Sequence, residues 1–208
     1  YRTFSVYNCD AVGGRIFLHF EHEVPRWLTK DLWGFLGYLD YGKELFYMDE
    51  QRYPFGGNMA FLRSLFDAIG LFNVDMGRQG RRLFGGEEAE LFHRLFRQGG
   101  TVIYQPLAIT YHIITKARLN KAYFRRLHYN EGLQHAYLDS REYPNSLFGI
   151  PLFVFPQFYR STKVYLSSVL TEGLHRSMRS QMTVCYFLGY MSGRVRKNKY
   201  RECNEVAG

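Results

Sequence analysis

The order of its apolar segments constrains the fold of this chain more than any other feature. Apolar residues recur at helical spacing from Met59 to Ile69 and again from Glu87 to Gln98, and each stretch stops at glycine. β-branched and aromatic residues then predict strands at Thr101–Tyr104 and Ala108–Ile114, separated by a proline turn. Helices followed by strands in this order predict an α/β layered fold.

Length and composition indicate a chain that folds around a real core. Its 208 residues suffice for one or two domains. A hydrophobic content of 46% with 22% charged residues excludes an intrinsically disordered chain. The 17 Tyr and 18 Phe predict many half-buried rings, at interfaces or at a membrane surface.

Positive charge is concentrated in the second half of the chain. Residues 1–115 have 12 Lys and Arg against 13 Asp and Glu, whereas residues 116–208 have 15 against 6, a net charge of +9. Basic and apolar residues alternate there at helical spacing, a pattern typical of helices that lie in a membrane interface. We therefore predict two domains, 1–115 and 116–208. The partner of the second is an anionic surface, either phospholipid or nucleic acid, and the absence of a nucleic-acid-binding module ranks nucleic acid last.

The cysteines and the chain start bear on location and completeness. Cys9, Cys185 and Cys203 have no metal or redox spacing, which predicts reduced thiols and a cytoplasmic protein. The chain starts at Tyr1 without a signal peptide, so we expect it to be a fragment. No apolar run is long enough to span a bilayer.

Two adjacent acids, Glu87 and Glu88, open the second predicted helix just after Gly85-Gly86. Acids at a helix N-terminus interact favourably with the helix dipole, and this explains the pair without any catalytic role. A carboxylate that projects into a cleft could instead act as a general base, with its pKa raised by burial and by the neighbouring charge. The pair alone leaves both interpretations open.

Two histidine-containing stretches each have a structural interpretation and a metal-binding interpretation. His112 lies in a strand-like run and is either a core or edge residue or a ligand of a divalent metal ion. The run His19–Glu23 places two acids and one histidine on one strand face, but it matches no known ligand spacing. We interpret it as a solvated face.

Two glycine-containing stretches could approach a ligand closely. Gly56-Gly57-Asn58 is either a turn with Asn58 as the N-cap of the following helix, or a backbone segment that lies against a ligand. The stretch Gly77–Arg82 could clamp phosphates, although a mobile exposed loop explains it equally well.

The order and spacing of these motifs form a pattern that the single motifs do not. The chain contains Gly-Gly-Arg-Ile at 13–16, Pro-Phe-Gly-Gly-Asn-Met-Ala-Phe at 54–61, Gly-Glu-Glu-Ala-Glu-Leu at 86–91, Tyr-x-Pro at 104–106 and Tyr-His at 111–112. This set resembles the C-terminal half of family-2 glycosyltransferases with a GT-A fold, particularly bacterial ones that build surface polysaccharides. The resemblance covers residues 11–115, and the basic tail more loosely.

The resemblance implies roles for particular residues. Glu88 stands where the family has its catalytic base, normally an aspartate, and Glu87 precedes it as a supporting acid. The extra methylene of glutamate displaces the carboxylate by about one ångström. His112 matches the histidine that often completes the family's metal site, which implies Mn²⁺ or Mg²⁺ as cofactor. The Gly56-Gly57-Asn58 segment corresponds to the lining of the donor-sugar and acceptor pocket.

The function that the resemblance implies is transfer of a sugar from a nucleotide-sugar to a glycan or lipid-linked acceptor, with inversion. The enzyme would lie at the cytoplasmic face of a membrane, held by its basic tail on anionic lipid. The chain has no Asp-x-Asp sequence, the family's metal-binding motif, and we expect that motif and the nucleotide-binding half upstream of Tyr1. The alternative is an inactive, membrane-associated scaffold or binding protein that retains the fold.

Overall fold

A computed structural model describes residues 1–73 and 86–206, with side chains up to residue 198. The predicted loop Asp75–Phe84, its Gly77–Arg82 stretch and Gly85 lie outside the described residues. The predicted mixed α/β class is confirmed: the chain forms a small mixed sheet and several helices. The described residues form two units, one comprising 1–24, 30–73 and 86–116 and the other comprising 25–29 and 117–206.

The first unit contains the sheet and three helices. Its elements in chain order are α1 (Arg2–Tyr7), β1 (Ala11–Phe20), a 3-10 helix (Lys30–Leu36), β2 (Phe46–Tyr47), β3 (Met59–Phe61), α2 (Arg63–Ile69), α3 (Glu87–Arg97) and β4 (Val102–Ile114).

The sheet has the strand order β2-β4-β1-β3, and its centre is the parallel pair β1 and β4. The register of this pair changes partway along: Gly14 pairs with Gln105, but Arg15 pairs with Ile109. Residues 106–108 therefore bulge out of β4. Strand β3 adds to β1 in antiparallel orientation, with Ala11 opposite Phe61.

The alternation of side chains along the strands divides the core of this unit between the two sheet faces. Ala11, Val102 and Tyr104 belong to the larger cluster, which includes Leu91 and Phe92 of α3. The intervening strand residues form a smaller cluster on the other face, with members Cys9, Val12 and Ile103. The amphipathic pattern of Glu87–Gln98 thus corresponds to a real helix, with one residue fewer at its end.

Two local predictions are wrong because contacts distant in sequence override local pattern. The first turn of the predicted helix Met59–Ile69 is instead β3, whose backbone hydrogen-bonds to β1, and α2 begins only at Arg63. The Gly-Gly pair at 13–14 is a turn signal in the sequence, but Gly13 and Gly14 lie inside β1. A Cβ atom on Gly13 would collide with the Pro54 ring, so the close approach of that ring requires glycine in the strand.

Two further expectations are corrected in part. The strands predicted at Thr101–Tyr104 and Ala108–Ile114 are one strand, β4, and the proline turn between them is the bulge. The basic tail is helical as predicted, but it also contains a small hairpin.

The second unit is mostly helical. It contains α4 (Lys121–Leu138), β5 (Ser146–Leu147), β6 (Ile150–Pro151), α5 (Val154–Arg176) and α6 (Met178–Val206), and a 3-10 helix (Lys116–Arg118) spans the boundary. Trp27 belongs to this unit because its ring packs edge-on against the buried ring of Phe124, 5.2 Å between centroids. None of the described helices is long and apolar enough to cross a membrane.

Helices α4 and α6 approach each other closely because glycine lies at the contact. A Cβ atom on Gly132 of α4 would collide with the carbonyl of Tyr186, and one on Gly189 of α6 would collide with the carbonyl of Tyr129. The backbones therefore touch where any side chain would separate the two helices.

A buried carboxylate fixes the end of α4. Asp139, the C-cap residue, has a side chain only 8% exposed. It accepts hydrogen bonds from the hydroxyls of Tyr143 (3.0 Å) and Tyr190 (2.9 Å) and from Nε of Arg141 (2.9 Å). Burial of the carboxyl opposes ionisation, but these hydrogen bonds outweigh it and hold the pKa of Asp139 well below its ordinary value.

We expect Asp139→Asn to lower the free energy of unfolding at pH 7 by about 1–3 kcal/mol, because the donors lose a charged acceptor. A carboxyl whose pKa is depressed by folding stabilises the fold above its unfolded pKa of about 4, and this contribution is lost as the pH falls toward the folded pKa. The difference in the free energy of unfolding between wild type and variant, measured with urea, should therefore narrow below about pH 4. The control is Asp67→Asn, at an exposed position on α2. A difference that stays constant with pH would contradict the assignment.

Candidate active site

The Gly56-Gly57-Asn58 segment forms a tight turn that is attached to the sheet by Asn58. The Asn58 amide nitrogen Nδ2 donates hydrogen bonds to the carbonyl of Arg15 (2.8 Å) and to that of Ala108 (2.9 Å). Both carbonyls lie at the β-bulge, so one side chain joins β1, β4 and the turn. Asn58 is not a helix cap: the N-cap of α2 is Leu62, because β3 intervenes.

The turn faces the acidic start of α3. Gly56 and Gly57 are exposed, and a Cβ atom placed on Gly56 would lie 3.5 Å from Oε1 of Glu88. The structure thus brings together Glu88 and the glycine turn. The absence of side chains at Gly56 and Gly57 lets the backbone of the turn lie close to this carboxylate.

Glu87 and Glu88 are both half-buried in the first turn of α3. Oε2 of Glu87 is buried and has no hydrogen-bond partner among the described residues. The N-cap of α3 is Gly86, with φ of 97°, and Glu90 is a further acid in the first turn. Interaction with the helix dipole therefore favours acidic residues at these positions, as the sequence suggested.

One side chain that was not predicted as a site residue, Tyr53, lies near Glu88. The Tyr53 ring lies 6.0 Å from that of Phe92 and 6.1 Å from that of His93, measured between centroids. Burial, and then the negative charge of Glu88, raise the pKa of the Tyr53 hydroxyl. Tyr53 begins the glycine motif and so gave a signal in the sequence, whereas the lone His93 on a helix gave none.

His112 lies on β4, where it is paired with Leu18 of β1. Its ring lies close to the backbone of Gly37, where a Cβ atom would lie 2.8 Å from Nδ1. Among residues 1–73 and 86–198, whose side chains the structure describes, no three His, Cys, Asp or Glu residues come close enough to hold a metal ion.

A second polar cluster in the same unit was not predicted. Asp40 accepts hydrogen bonds from NH2 of Arg15 (2.8 Å) and from the backbone N–H of Gly42 (2.9 Å). The Arg15 guanidinium holds the pKa of the Asp40 carboxyl below its usual range, although burial opposes this. The fully buried Tyr104 hydroxyl accepts from Tyr41 N and donates to Gly42 O, both at 3.1 Å. These bonds hold the chain around Asp40 against the sheet.

The run His19–Glu23 lies at the end of β1, and most of its residues are exposed.

Comparisons with protein-family models, with curated proteins and with solved structures find no match for this chain. The support for a function therefore comes from the juxtaposition of Glu88, Tyr53 and the glycine turn.

We expect Asn58→Asp to lower the free energy of unfolding by about 2–4 kcal/mol, because a carboxylate cannot donate and would face two carbonyl oxygens. Chemical denaturation of the purified protein measures the change. The matched control is Asn130→Asp, whose Nδ2 donates to a single carbonyl, that of Arg126, at an exposed position. Equal losses for the two variants would show that Asn58 does not join the turn to the strands.

Proposed function

We propose that this chain is the acceptor-side part of an inverting glycosyltransferase with a GT-A fold, and that Glu88 is its catalytic base. The observation that supports this most directly is the Glu88 carboxylate facing the exposed glycine turn at Gly56. The motif order that resembles family-2 glycosyltransferases supports it independently. The donor is a nucleotide-sugar, and the acceptor is a glycan or a lipid-linked sugar of a polysaccharide pathway.

The reaction is a single displacement. Glu88 takes the proton from an acceptor hydroxyl, and the oxygen of that hydroxyl forms a bond to the anomeric carbon of the donor sugar. The bond between that carbon and the diphosphate breaks on the opposite side, and the nucleoside diphosphate leaves with the electron pair. Attack from the opposite side inverts the anomeric configuration. Gly56 and Gly57 leave room for the sugar, and Asn58 holds the turn that contains them.

Glu87 and Tyr53 have positioning roles in this proposal. The negative charge of Glu87 beside Glu88 favours protonation of the base as it takes the proton. The Tyr53 hydroxyl, on which the charge of Glu88 acts, would help to hold the carboxylate in place.

A divalent cation, Mn²⁺ or Mg²⁺, would neutralise charge on the leaving diphosphate. His112 is retained as one of its proposed ligands. The remaining ligands have to come from outside the described residues, so no step above depends on the cation.

In this proposal the second unit lies peripherally on an anionic membrane, at its cytoplasmic face. Tyr159, Leu166 and Leu170 of α5 are 71%, 56% and 86% exposed, and helical spacing places them on one face with Lys163. Large exposed apolar residues beside basic ones are typical of a helix that lies in the headgroup region of a bilayer. Nucleic acid is not a partner in this proposal.

In the full-length protein, Glu88→Gln should lower the rate of sugar transfer by about a hundredfold or more, because it removes the general base. Release of nucleoside diphosphate from a panel of nucleotide-sugars measures the rate. Glu88→Asp, which restores the family's usual residue, should retain measurable transfer. Glu44→Gln, at an exposed position, is the control for loss of one charge.

Two results would count against the proposal. Unchanged transfer in Glu88→Gln would remove Glu88 as the base. If the wild-type protein transferred no sugar from any donor, the inactive membrane-associated scaffold would become the better explanation.

Flotation with liposomes tests the membrane partner. The protein should float with vesicles that contain phosphatidylglycerol, and binding should weaken as salt rises from low to high concentration, because screening shortens the reach of the charges. Reversing two charges, Arg160→Glu with Lys163→Glu, should weaken binding several-fold by the same electrostatic reasoning. Reversal of Arg63, exposed on α2 of the first unit, is the control. Equal binding to neutral vesicles would defeat the electrostatic part of the proposal.

A further inference from the structure

The second unit contains a cavity of about 650 Å³ between the end of α4, the start of α5 and α6. Its volume lies within the range of small-molecule sites, roughly 300–1,000 Å³. One wall is apolar and consists of Leu138, Phe153, Val154 and Phe187. Leu138 and Phe153 are also 55% and 49% exposed, so the apolar wall continues to the mouth of the cavity.

Positive charge lies at Arg141 in the cavity lining and in a small recess beside it. Ser140 and Arg141 line the cavity and also a neighbouring recess of about 30 Å³, whose lining includes Arg194 and Lys197. Arg194 donates through Nε to the carbonyl of Gly149 (2.9 Å), and Lys197 donates to that of Asp139 (2.8 Å). These bonds fix the two cations in place and leave other N–H groups of each side chain for a ligand.

The carboxylate at this end, that of Asp139, already has hydrogen-bond donors from the protein. The Asp139 carboxylate accepts from Tyr143, Tyr190 and Arg141, and its hydrogen bonds hold it in the wall. Arg141 in the cavity and Arg194 and Lys197 in the recesses beside it outnumber the acids there, Asp139 and Glu142, by one, which leaves positive charge at the polar end. An anion is therefore the group that this end would bind.

We infer that the cavity binds a lipid phosphate, with the hydrocarbon chain against the apolar wall and the phosphate beside Arg141. A free sugar would leave the apolar wall facing water or polar groups, and a neutral lipid would leave the cationic end without a partner. The phosphate could belong to a membrane phospholipid or to a free lipid phosphate, because the two share this chemistry. None of the residues involved belongs to the first unit, so the inference does not depend on the proposed sugar transfer.

Calorimetric titration of the purified protein with decyl phosphate, below its critical micelle concentration, tests the inference. Saturable binding to one site is expected, with inorganic phosphate and decyl maltoside each binding at least about tenfold more weakly, since each makes only half of the contacts. Glu88→Gln should bind decyl phosphate like wild type, which separates this test from that of the catalytic base.

Three variants locate the site. Arg141→Gln should weaken binding by about tenfold, the loss of one charge-assisted hydrogen bond. Gln157→Trp, at an exposed position on the lining, should weaken binding by filling the cavity. Arg160→Gln removes one positive charge from α5 outside the cavity and should have no effect. Thermal unfolding of each variant checks that it folds.

Three outcomes would overturn the inference. They are binding only above the critical micelle concentration, equal binding of decyl maltoside, and equal weakening by Arg160→Gln and Arg141→Gln. Competition with phosphatidic acid vesicles then identifies the source of the ligand. Displacement of decyl phosphate indicates a lipid drawn from the bilayer, and no displacement indicates a free lipid phosphate; both results uphold the cavity as the site.

Discussion

The first unit depends on the two hydrogen bonds that one amide group makes at the β-bulge. Asn58 donates to carbonyls of β1 and β4 at the point where their register changes, so it compensates for ladder hydrogen bonds that the bulge disrupts. The same residue ends the glycine turn and directly precedes β3. The position of Gly56 opposite Glu88 therefore follows from the packing of the sheet, which makes the candidate site more rigid than an ordinary surface turn would be.

The second unit depends on a different polar group, the buried carboxylate of Asp139. It gathers donors from the loop after α4 and from α6, while contacts at Gly132 and Gly189 bring α4 and α6 together. A buried charge is stable only when its hydrogen bonds are satisfied, so the surrounding tyrosines and arginines have fixed positions. The cavity next to it therefore has a rigid polar end, and it also has an apolar wall.

Sequence pattern predicted the elements that depend on local periodicity. The amphipathic stretch from Glu87 became α3, because a regular apolar stripe fixes which face of a helix is buried. The basic segment from residue 116 is helical as predicted, and its first α-helix, α4, begins at Lys121. Sequence pattern failed at Gly13-Gly14 and at Met59–Phe61, where a strand forms through partners distant in the chain. The sequence pattern did not point to His93 or Asp40, because their contact partners lie on other elements and produce no periodic spacing.

The sequence by itself determined the mixed α/β class, the concentration of positive charge in residues 116–208 and the acidic start of α3, since composition and short-range spacing suffice for these. Only the tertiary structure decided that Glu88 faces Gly56, that Asn58 joins two strands instead of capping a helix, and that Asp139 and Arg141 border a cavity. Each of these depends on backbone atoms brought within hydrogen-bonding or van der Waals distance by packing, and such distances are not encoded in the spacing of residues along the chain.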